Sequence, residues 1–182
     1  MLGTGPNPEW TRRRMAAPKY RPNRIKLLLV AQSPPEDPAR YFYFEGTGST
    51  DPLFDAVCEV MFEGERVDKP AALKELRRRG VFVVELKPDA PRVGEKLAPY
   101  VPPFLINLET LGPEQIVLIG DEVHAAASRA IEKAGLPVVD VKVPDPAAGD
   151  VASFRNKFRQ ALVRGGLEKL IKPLPPSARA KS

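Results

Sequence analysis

Four short apolar runs alternate with segments of helical periodicity along most of the chain, and this alternation restricts the possible folds more than any other feature. The runs cover residues 25–31, 81–86, 115–119 and 138–143. They are rich in Leu, Ile and Val and too short for helices, so each predicts a strand. Apolar strands joined by helices form a parallel sheet covered on both faces. The sequence therefore predicts an α/β fold, a three-layer α/β/α sandwich around a central four-stranded, mostly parallel sheet.

The segments between these strands predict five helices. They cover residues 52–62, 70–79, 102–111, about 122–133 and part of 153–170. Asp51 directly precedes the first helix, where a carboxylate can accept hydrogen bonds from the free backbone N–H groups of the first turn. Gly80 follows the second helix, and a glycine there can adopt the left-handed conformation that ends a helix.

Both ends of the chain depart from this pattern. Residues 1–24 are rich in Pro, Arg and Asn without periodicity, and they predict a basic N-terminal arm. Residues 173–182, with the sequence PLPPSARAKS, predict a flexible C-terminal tail. The sequence therefore predicts one folded domain, residues 25–172.

The net charge of +5 is concentrated at the two ends. Residues 1–26 carry seven basic side chains and one acidic one, and residues 155–182 carry eight and one. Residues 27–154 carry 13 basic and 21 acidic side chains. Basic ends can attract a polyanion, or they can serve solubility alone. Charge does not decide between these two interpretations.

The composition argues against several classes of protein. Cys58 is the only cysteine and His124 the only histidine, so we expect no disulfide, no cysteine-held cluster and no multi-histidine metal site. No apolar run approaches the ~20 residues that span a bilayer. We expect a cytoplasmic monomer with no membrane partner, no metal and no cofactor.

Four turns follow the predicted strands, and ligands of parallel sheets bind beyond these carboxyl ends. The turns cover residues 32–35, 85–88, 120–123 and 144–150. The first reads Gln-Ser-Pro-Pro, and its two prolines stiffen the backbone. Four aromatic residues, 41–44, follow shortly afterwards. The sequence thus predicts a rigid polar turn beside aromatic rings at one edge of the sheet.

The order of these motifs resembles the uracil-DNA glycosylase superfamily from about residue 25 to residue 162. The first family motif, Gly-Gln-Asp-Pro-Tyr or Gly-Glu-Ala-Pro-Gly, aligns with "VAQSPP", and the family's Gly-Val-Tyr-Ile-Thr-Asn strand aligns with "GVFVVELK". The third stretch, Leu-x-Pro-x-x-Ile-Val-x-Leu-Gly and an Ala-rich helix, resembles "LGPEQIVLIGDEVHAAASRAI". The family's His-Pro-Ser-Pro and basic helix align with "VKVPDPAAGDVASFRNKFRQAL". The resemblance implies a glycosylase-like protein that hydrolyses the N-glycosidic bond of a damaged or deaminated base, uracil or related, in DNA repair.

The resemblance also implies roles for individual residues. Gln32 and Ser33 would orient the attacking water and Glu85 would read the base, and these three are the candidate catalytic residues. The base-binding candidates are Pro34, Pro35, Phe42, Tyr43 and, again, Glu85. The loop after the fourth strand and the helix that follows would contact DNA through Pro144, Asp145, Pro146, Arg155, Asn156, Lys157 and Arg159.

Three positions differ from the best-known branches of the family. Ser33 stands where those branches have the Asp or Asn that positions water, and Val143 stands where they have the His that stabilises the leaving base. Glu85 stands at the base-reading Asn. An ionised carboxylate only accepts hydrogen bonds, so Glu85 would accept the uracil N3–H, pair with an amino-bearing base, or act as general base if desolvation raised its pKa. The alternative is an ion pair with Lys87 or a nearby Arg.

Other candidate residues also have structural interpretations. Phe42 and Phe44 could face the core of a β-like segment while Tyr41 and Tyr43 face outwards. Asp51 is within reach of the same site, but capping is the favoured interpretation. His124 could replace the missing catalytic histidine or be an exposed residue in the first turn of its helix.

Three functions remain open from sequence. The first is a DNA glycosylase. The second is a nucleic-acid or nucleotide-binding module on the same fold, with catalysis weakened, and Ser33 and Val143 favour it. The third is a small-molecule α/β enzyme unrelated to DNA, for which the acidic residues 27–154 argue.

Overall fold

A parallel sheet of three strands forms the centre of the fold in the computed structural model, which describes residues 8–46 and 51–180. Strand β1 is Leu27–Ala31, β2 is Val81–Glu85 and β3 is Ile116–Leu118. The strand order is β2-β1-β3, with Ala31 beside Glu85 in the register. The first four residues of the central strand β1 are fully buried. This burial explains why its sequence is apolar on both faces.

Within the residues that the structure describes, the predicted fourth strand, residues 138–143, forms only two isolated parallel bridges. Val138 pairs with Ile116 and Val143 pairs with Ile119. Between these bridges the Val141 N–H donates to the Val139 carbonyl at 2.9 Å, which closes a three-residue turn. The turn withdraws these groups from the ladder, so the sheet has three strands rather than the predicted four.

Five helices follow the order predicted from the sequence. They are α2 Pro52–Met61, α3 Lys69–Arg79, α4 Val101–Leu111, α5 Asp121–Lys133 and α6 Val151–Arg164. The α2 helix contacts α6, and α4 contacts α5. Gly80 ends α3 with a φ of 81°, and the fit is close because an added Cβ would lie 2.9 Å from Cγ of Lys26. Cys58 is a free, buried thiol in α2.

Residues 8–19 form a helix, α1 (Pro8–Lys19), where the composition predicts an irregular arm. Ala16 and Ala17 of this helix pack against the core, and aromatic and cationic contacts from the helix and from Tyr20, directly after it, add to them. Tyr20 is buried and stacks on Tyr43 with ring centroids 6.0 Å apart, and the Arg12 guanidinium lies 4.1 Å from the centre of the Phe44 ring. Residues 1–7 of the predicted arm lie outside the described residues.

The C-terminal segment packs on the body where the sequence predicts a flexible tail. Leu174 and Ala178 are buried. The buried Arg79 guanidinium donates hydrogen bonds to four backbone carbonyls, those of Met61, Leu170, Lys172 and Pro173. These bonds join the segment to the end of α2.

None of the helices formed by residues 8–46 and 51–180 combines the length and the apolar character that a membrane-spanning helix needs.

Candidate functional site

A cavity of about 640 Å³ opens at the carboxyl ends of β1 and β2. Its walls come from the turn after β1, the aromatic segment, the start of α2, the end of β2 and the loop before α6. The lining residues are Ala31, Gln32, Ser33, Pro34, Pro35, Glu36, Asp37, Arg40, Tyr41, Phe42, Asp51, Pro52, Leu53, Val83, Glu85, Pro91, Ile119, Asp145 and Ala147. The cavity therefore lies where ligands of parallel sheets bind.

Hydrogen bonds to backbone carbonyls hold both ends of the turn that lines the cavity, residues 32–35. The Lys87 N–H donates to the Gln32 carbonyl at 2.9 Å. On the other side, Nη2 of Arg13 donates to the Pro35 carbonyl, also at 2.9 Å. With two prolines fixing φ, the polar groups of Gln32 and Ser33 have a defined position at the cavity mouth.

Tyr41 and Phe42 form the aromatic wall of the cavity. Tyr43, a predicted base-binding residue, lies behind that wall, and its hydroxyl donates to the Val83 carbonyl and accepts from the Val83 N–H. All four aromatic residues are buried. The predicted alternation of phenylalanines inside and tyrosines outside is therefore wrong. The segment is a turn, closed by the Phe44 N–H bonding the Tyr41 carbonyl at 3.1 Å, and a turn does not alternate its side chains.

Glu85 ends β2 and lines the cavity, and no cation among residues 8–46 and 51–180 forms an ion pair with it. Burial raises the pKa of its carboxyl to about 7, although the nearby Arg13 and a hydrogen bond from the Tyr41 hydroxyl oppose the rise. The predicted alternative of an ion pair with Lys87 is wrong, because Lys87 pairs with Glu95. A carboxyl with a pKa near 7 is suited to accept a proton from water.

Four further carboxylates line the cavity: Glu36 and Asp37 follow the turn after β1, and Asp51 and Asp145 lie at two other elements. Asp51 is only 4% exposed and accepts a hydrogen bond from the Phe54 N–H at 2.9 Å, which confirms the capping interpretation. Asp145 accepts from the Ala147 N–H at 2.9 Å in a 3-10 turn, Pro146–Ala148. Burial raises the pKa of Asp51, and the charge of Asp145 contributes. Three carboxylates from three separate elements thus interact across one cavity.

Both prolines that the sequence predicts to contact DNA, Pro144 and Pro146, lie beside the cavity rather than in its wall. Pro146 is buried and Pro144 is half-buried, while Asp145 and Ala147 provide the lining at this place. Val143 is fully buried and pairs with Ile119, so no side chain at this position reaches the cavity.

His124 does not line the cavity. Its Nε2 atom is enclosed, has no hydrogen-bond partner among residues 8–46 and 51–180, and lies 3.9 Å from Oδ1 of Asp140. The interpretation of His124 as a replacement for the missing catalytic histidine has no geometric support. The residue is half-buried, not exposed.

The basic residues of α6 do not reach the cavity either. Arg155 forms an ion pair with Glu59 of α2 at 2.5 Å. Arg155, Asn156 and Arg159 line a shallow groove together with Glu59 and Glu63. Lys157 is exposed, with Nζ 3.4 Å from Oε1 of Gln160. Phe154 and Phe158 are fully buried, as the sequence predicts for the core stripe of this helix.

Two site residues escaped the sequence analysis. Arg13 belongs to the predicted arm, yet it is 9% exposed and sits beside Glu85 and the Pro35 carbonyl. Nothing in a run of three consecutive arginines distinguishes the one that becomes buried. Tyr41 is adjacent to the predicted pair, Phe42 and Tyr43, and only the turn geometry reveals that it replaces Tyr43 in the wall.

The described part of the chain contains no group of three or more His, Cys, Asp or Glu side chains placed to hold a metal ion. Comparisons with protein-family models and with curated proteins found no match to this sequence. The functional conclusion therefore rests on the geometry of the cavity.

Proposed function

We propose that this protein is a DNA glycosylase of the uracil-DNA glycosylase type, which hydrolyses the N-glycosidic bond of a damaged or deaminated base. The observation that carries the proposal is a single cavity that joins the Gln32–Pro35 turn, the rings of Tyr41 and Phe42, and Glu85. Small-molecule sites occupy about 300–1,000 Å³. A base taken out of the stack needs an aromatic face and polar groups for its edge, and this cavity offers both.

The architecture supports the same proposal. The segment 138–143 runs parallel beside β3, at the position of the expected fourth strand. Connections between parallel strands are right-handed, so the crossover from β1 to β2 and the one from β2 to β3 lie on opposite faces. The separate contacts of α2 with α6 and of α4 with α5 agree with two helical layers.

Glu85 has the properties of the general base in this proposal. Its ionised form takes a proton from a water molecule held near Gln32 and Ser33, the water oxygen bonds to C1′, and the C1′–N bond breaks with its electron pair going to the base. The Tyr41 hydroxyl donates to Glu85 and thereby orients the carboxylate. The rings of Tyr41 and Phe42 hold the plane of the base.

The charge of the cavity bears on which bases fit. Asp51 and Asp145 would repel a base that departs as an anion, whereas Glu85 is neutral once it has taken the proton from water. A base made cationic by alkylation departs as a neutral molecule and avoids that repulsion, and amino groups on a base can donate hydrogen bonds to these carboxylates. The cavity therefore favours such bases over uracil itself.

Incubation with oligonucleotides that carry uracil, hypoxanthine, xanthine or an alkylated base, followed by cleavage of abasic sites, tests the proposal. We expect strand breaks at one or more of these bases. Glu85→Gln should lower the rate by about 10²–10⁴-fold, as for loss of a general base. Release of none of these bases would remove the proposal.

A binding module on the same fold is the second candidate function. Val143 is buried in the sheet edge and does not line the cavity, and its apolar side chain has no hydrogen-bonding group to stabilise a leaving base. Saturable binding of DNA or nucleotides, without release of any base, would establish this alternative.

A further inference from the structure

A second groove of about 300 Å³ adjoins the cavity. It is lined by Trp10, Arg13, Glu36, Pro88, Asp89, Ala90, Pro91 and Arg92. Glu36 and Pro91 line both the groove and the cavity. A ligand that fills the cavity can therefore continue across these two residues into the groove without a break in contact.

Trp10 provides the aromatic surface of the groove. It is the only tryptophan of the 182 residues and is half-buried at the start of α1. The Arg14 guanidinium lies 4.5 Å from the centre of its ring. A tryptophan flanked by arginines offers an unstacked base a ring to stack on and offers its phosphate positive charge.

The opposite wall is a loop fixed by a buried lysine. Lys87, only 1% exposed, donates to the Ala90 carbonyl at 2.6 Å and forms an ion pair with Glu95. The Tyr100 hydroxyl donates to the same carboxylate. A buried charge is tolerated only when it is well paired, and these bonds define the path of the loop. The groove is therefore formed before any ligand arrives.

Arg13 lies at the junction of the groove and the cavity turn. Its Nη2 donates to the Pro35 carbonyl, whereas its enclosed Nε has no hydrogen-bond partner within residues 8–46 and 51–180. The residue is more than nine-tenths buried. The enclosed Nε itself is out of reach of a ligand, but the charge of Arg13 adds to that of Arg92 in the groove lining, and two guanidinium groups there favour a phosphate.

We propose that this groove holds the nucleotide next to the target base of a single DNA strand, with its base on Trp10 and its phosphate against Arg13 and Arg92. Glu36 and Asp89 accept hydrogen bonds from amino groups of that base. The inference rests on the proposed function, because it assigns the cavity to a DNA base. In a duplex the neighbouring base is paired and stacked, so only an unpaired strand can fill both sites.

Fluorescence of Trp10 measures occupancy of the groove directly. The probe is a short single-stranded DNA with a tetrahydrofuran abasic analogue at its centre, which no glycosylase can hydrolyse. We expect saturable quenching by this strand and at least about tenfold weaker binding of the corresponding duplex. Equal binding of the two forms, or no quenching, would overturn the inference.

Variants keep the test specific. Trp10→Ala should weaken single-strand affinity by about five- to a hundredfold, the range that stacking of one base provides, as measured by anisotropy of labelled DNA. Trp10→Phe should retain most of the affinity, and Arg92→Ala should lower it without touching the helix. Met15→Ala, on the same helix and 74% exposed, is the matched control and should bind normally. Circular dichroism checks that α1 remains folded.

The outcomes separate this inference from the proposed function. Base release that survives with unchanged affinity in Trp10→Ala removes the groove alone. Quenching and loss of affinity in Trp10→Ala, together with no base release from any oligonucleotide, removes the glycosylase and leaves a single-strand binding protein.

Discussion

Two carboxylates, the buried Glu75 and the half-buried Glu85, lie in contrasting surroundings. Hydrogen bonds from Arg78 and from Arg79 lower the pKa of Glu75. Glu85 has no bonded cation within the described part of the chain, and burial raises its pKa to about 7. The first carboxylate is part of a satisfied structural network, and the second faces a cavity with its proton affinity raised. The contrast indicates which carboxylate serves the fold and which is free for chemistry.

Of the substitutions that test this contrast, loss of Arg79 should change the free energy of unfolding most. Arg79→Ala leaves Glu75 short of one partner and removes the Arg79 donor from four backbone carbonyls, of which Met61 keeps the bond from the Lys172 N–H. We therefore expect the free energy of unfolding to fall by about 3–5 kcal/mol. Urea denaturation measures it. Arg78→Ala is the matched control, because Arg78 bonds the same carboxylate but its side chain is 69% exposed, and it should cost less than about 1 kcal/mol. Equal effects would show that burial does not matter here.

The next largest effect should be a pH dependence of stability that comes from Glu85 and not from Glu75. Between the ordinary glutamate value of 4.5 and about 7, the folded protein retains a proton at Glu85 that the unfolded chain has released. The contribution of Glu85 to stability is thus full below 4.5 and lost as the pH rises through 7, by at most about 3 kcal/mol. Glu85→Gln should match the wild type near pH 4 and exceed its stability at pH 8.

The same titration should govern activity, with the opposite direction. Base release by the wild type should rise with pH and level off above about 7, as Glu85 ionises. A pH-independent rate would exclude Glu85 as the base.

Replacement of Arg155, Lys157 and Arg159 together by Ala should have a smaller effect, about tenfold on DNA affinity. The slope of log affinity against log salt should decrease by about 0.7–0.9 for each phosphate that these side chains neutralise in the wild type. Since Arg155 pairs with Glu59, Arg155→Ala alone should contribute least of the three. An unchanged slope would remove α6 from the DNA interface.

The smallest expected effect concerns Tyr41. Tyr41→Phe removes the hydroxyl that donates to Glu85, and this hydroxyl stabilises the ionised carboxylate. The midpoint of the pH–rate profile should move upwards by up to about one pH unit, the equivalent of one hydrogen bond of about 1 kcal/mol. A control, Tyr43→Phe, should leave the midpoint in place, because that hydroxyl bonds the Val83 backbone.

Local sequence signals predicted the regular elements well. Pro52 follows the capping Asp51, and Gly80 marks the end of α3, so these helix limits were readable from single residues. The convergence of the Gln32–Pro35 turn with Glu85 follows from the rule that parallel strands end at one edge.

What escaped prediction depends on tertiary packing. The bend at Val139–Val141 that interrupts the fourth strand contains a single turn-forming residue, Asp140, and one aspartate in an apolar run is too weak a signal to predict it. Arg13 is buried in a polar helix, and Lys87 pairs with Glu95 rather than with Glu85. Both outcomes depend on neighbours in the folded structure that no local sequence pattern reveals.

The enclosed thiol of Cys58 has a practical consequence. As the sole sulfhydryl of the chain, it can react with a colourimetric reagent only when α2 separates from the core, and burial keeps its pKa well above the usual value in the closed state. The rate at which Cys58 is labelled then measures how often α2 opens. Asp51, which caps the start of α2, lies in the cavity wall. Slower labelling of Cys58 in the presence of DNA would therefore show that a ligand in the cavity protects α2 from opening.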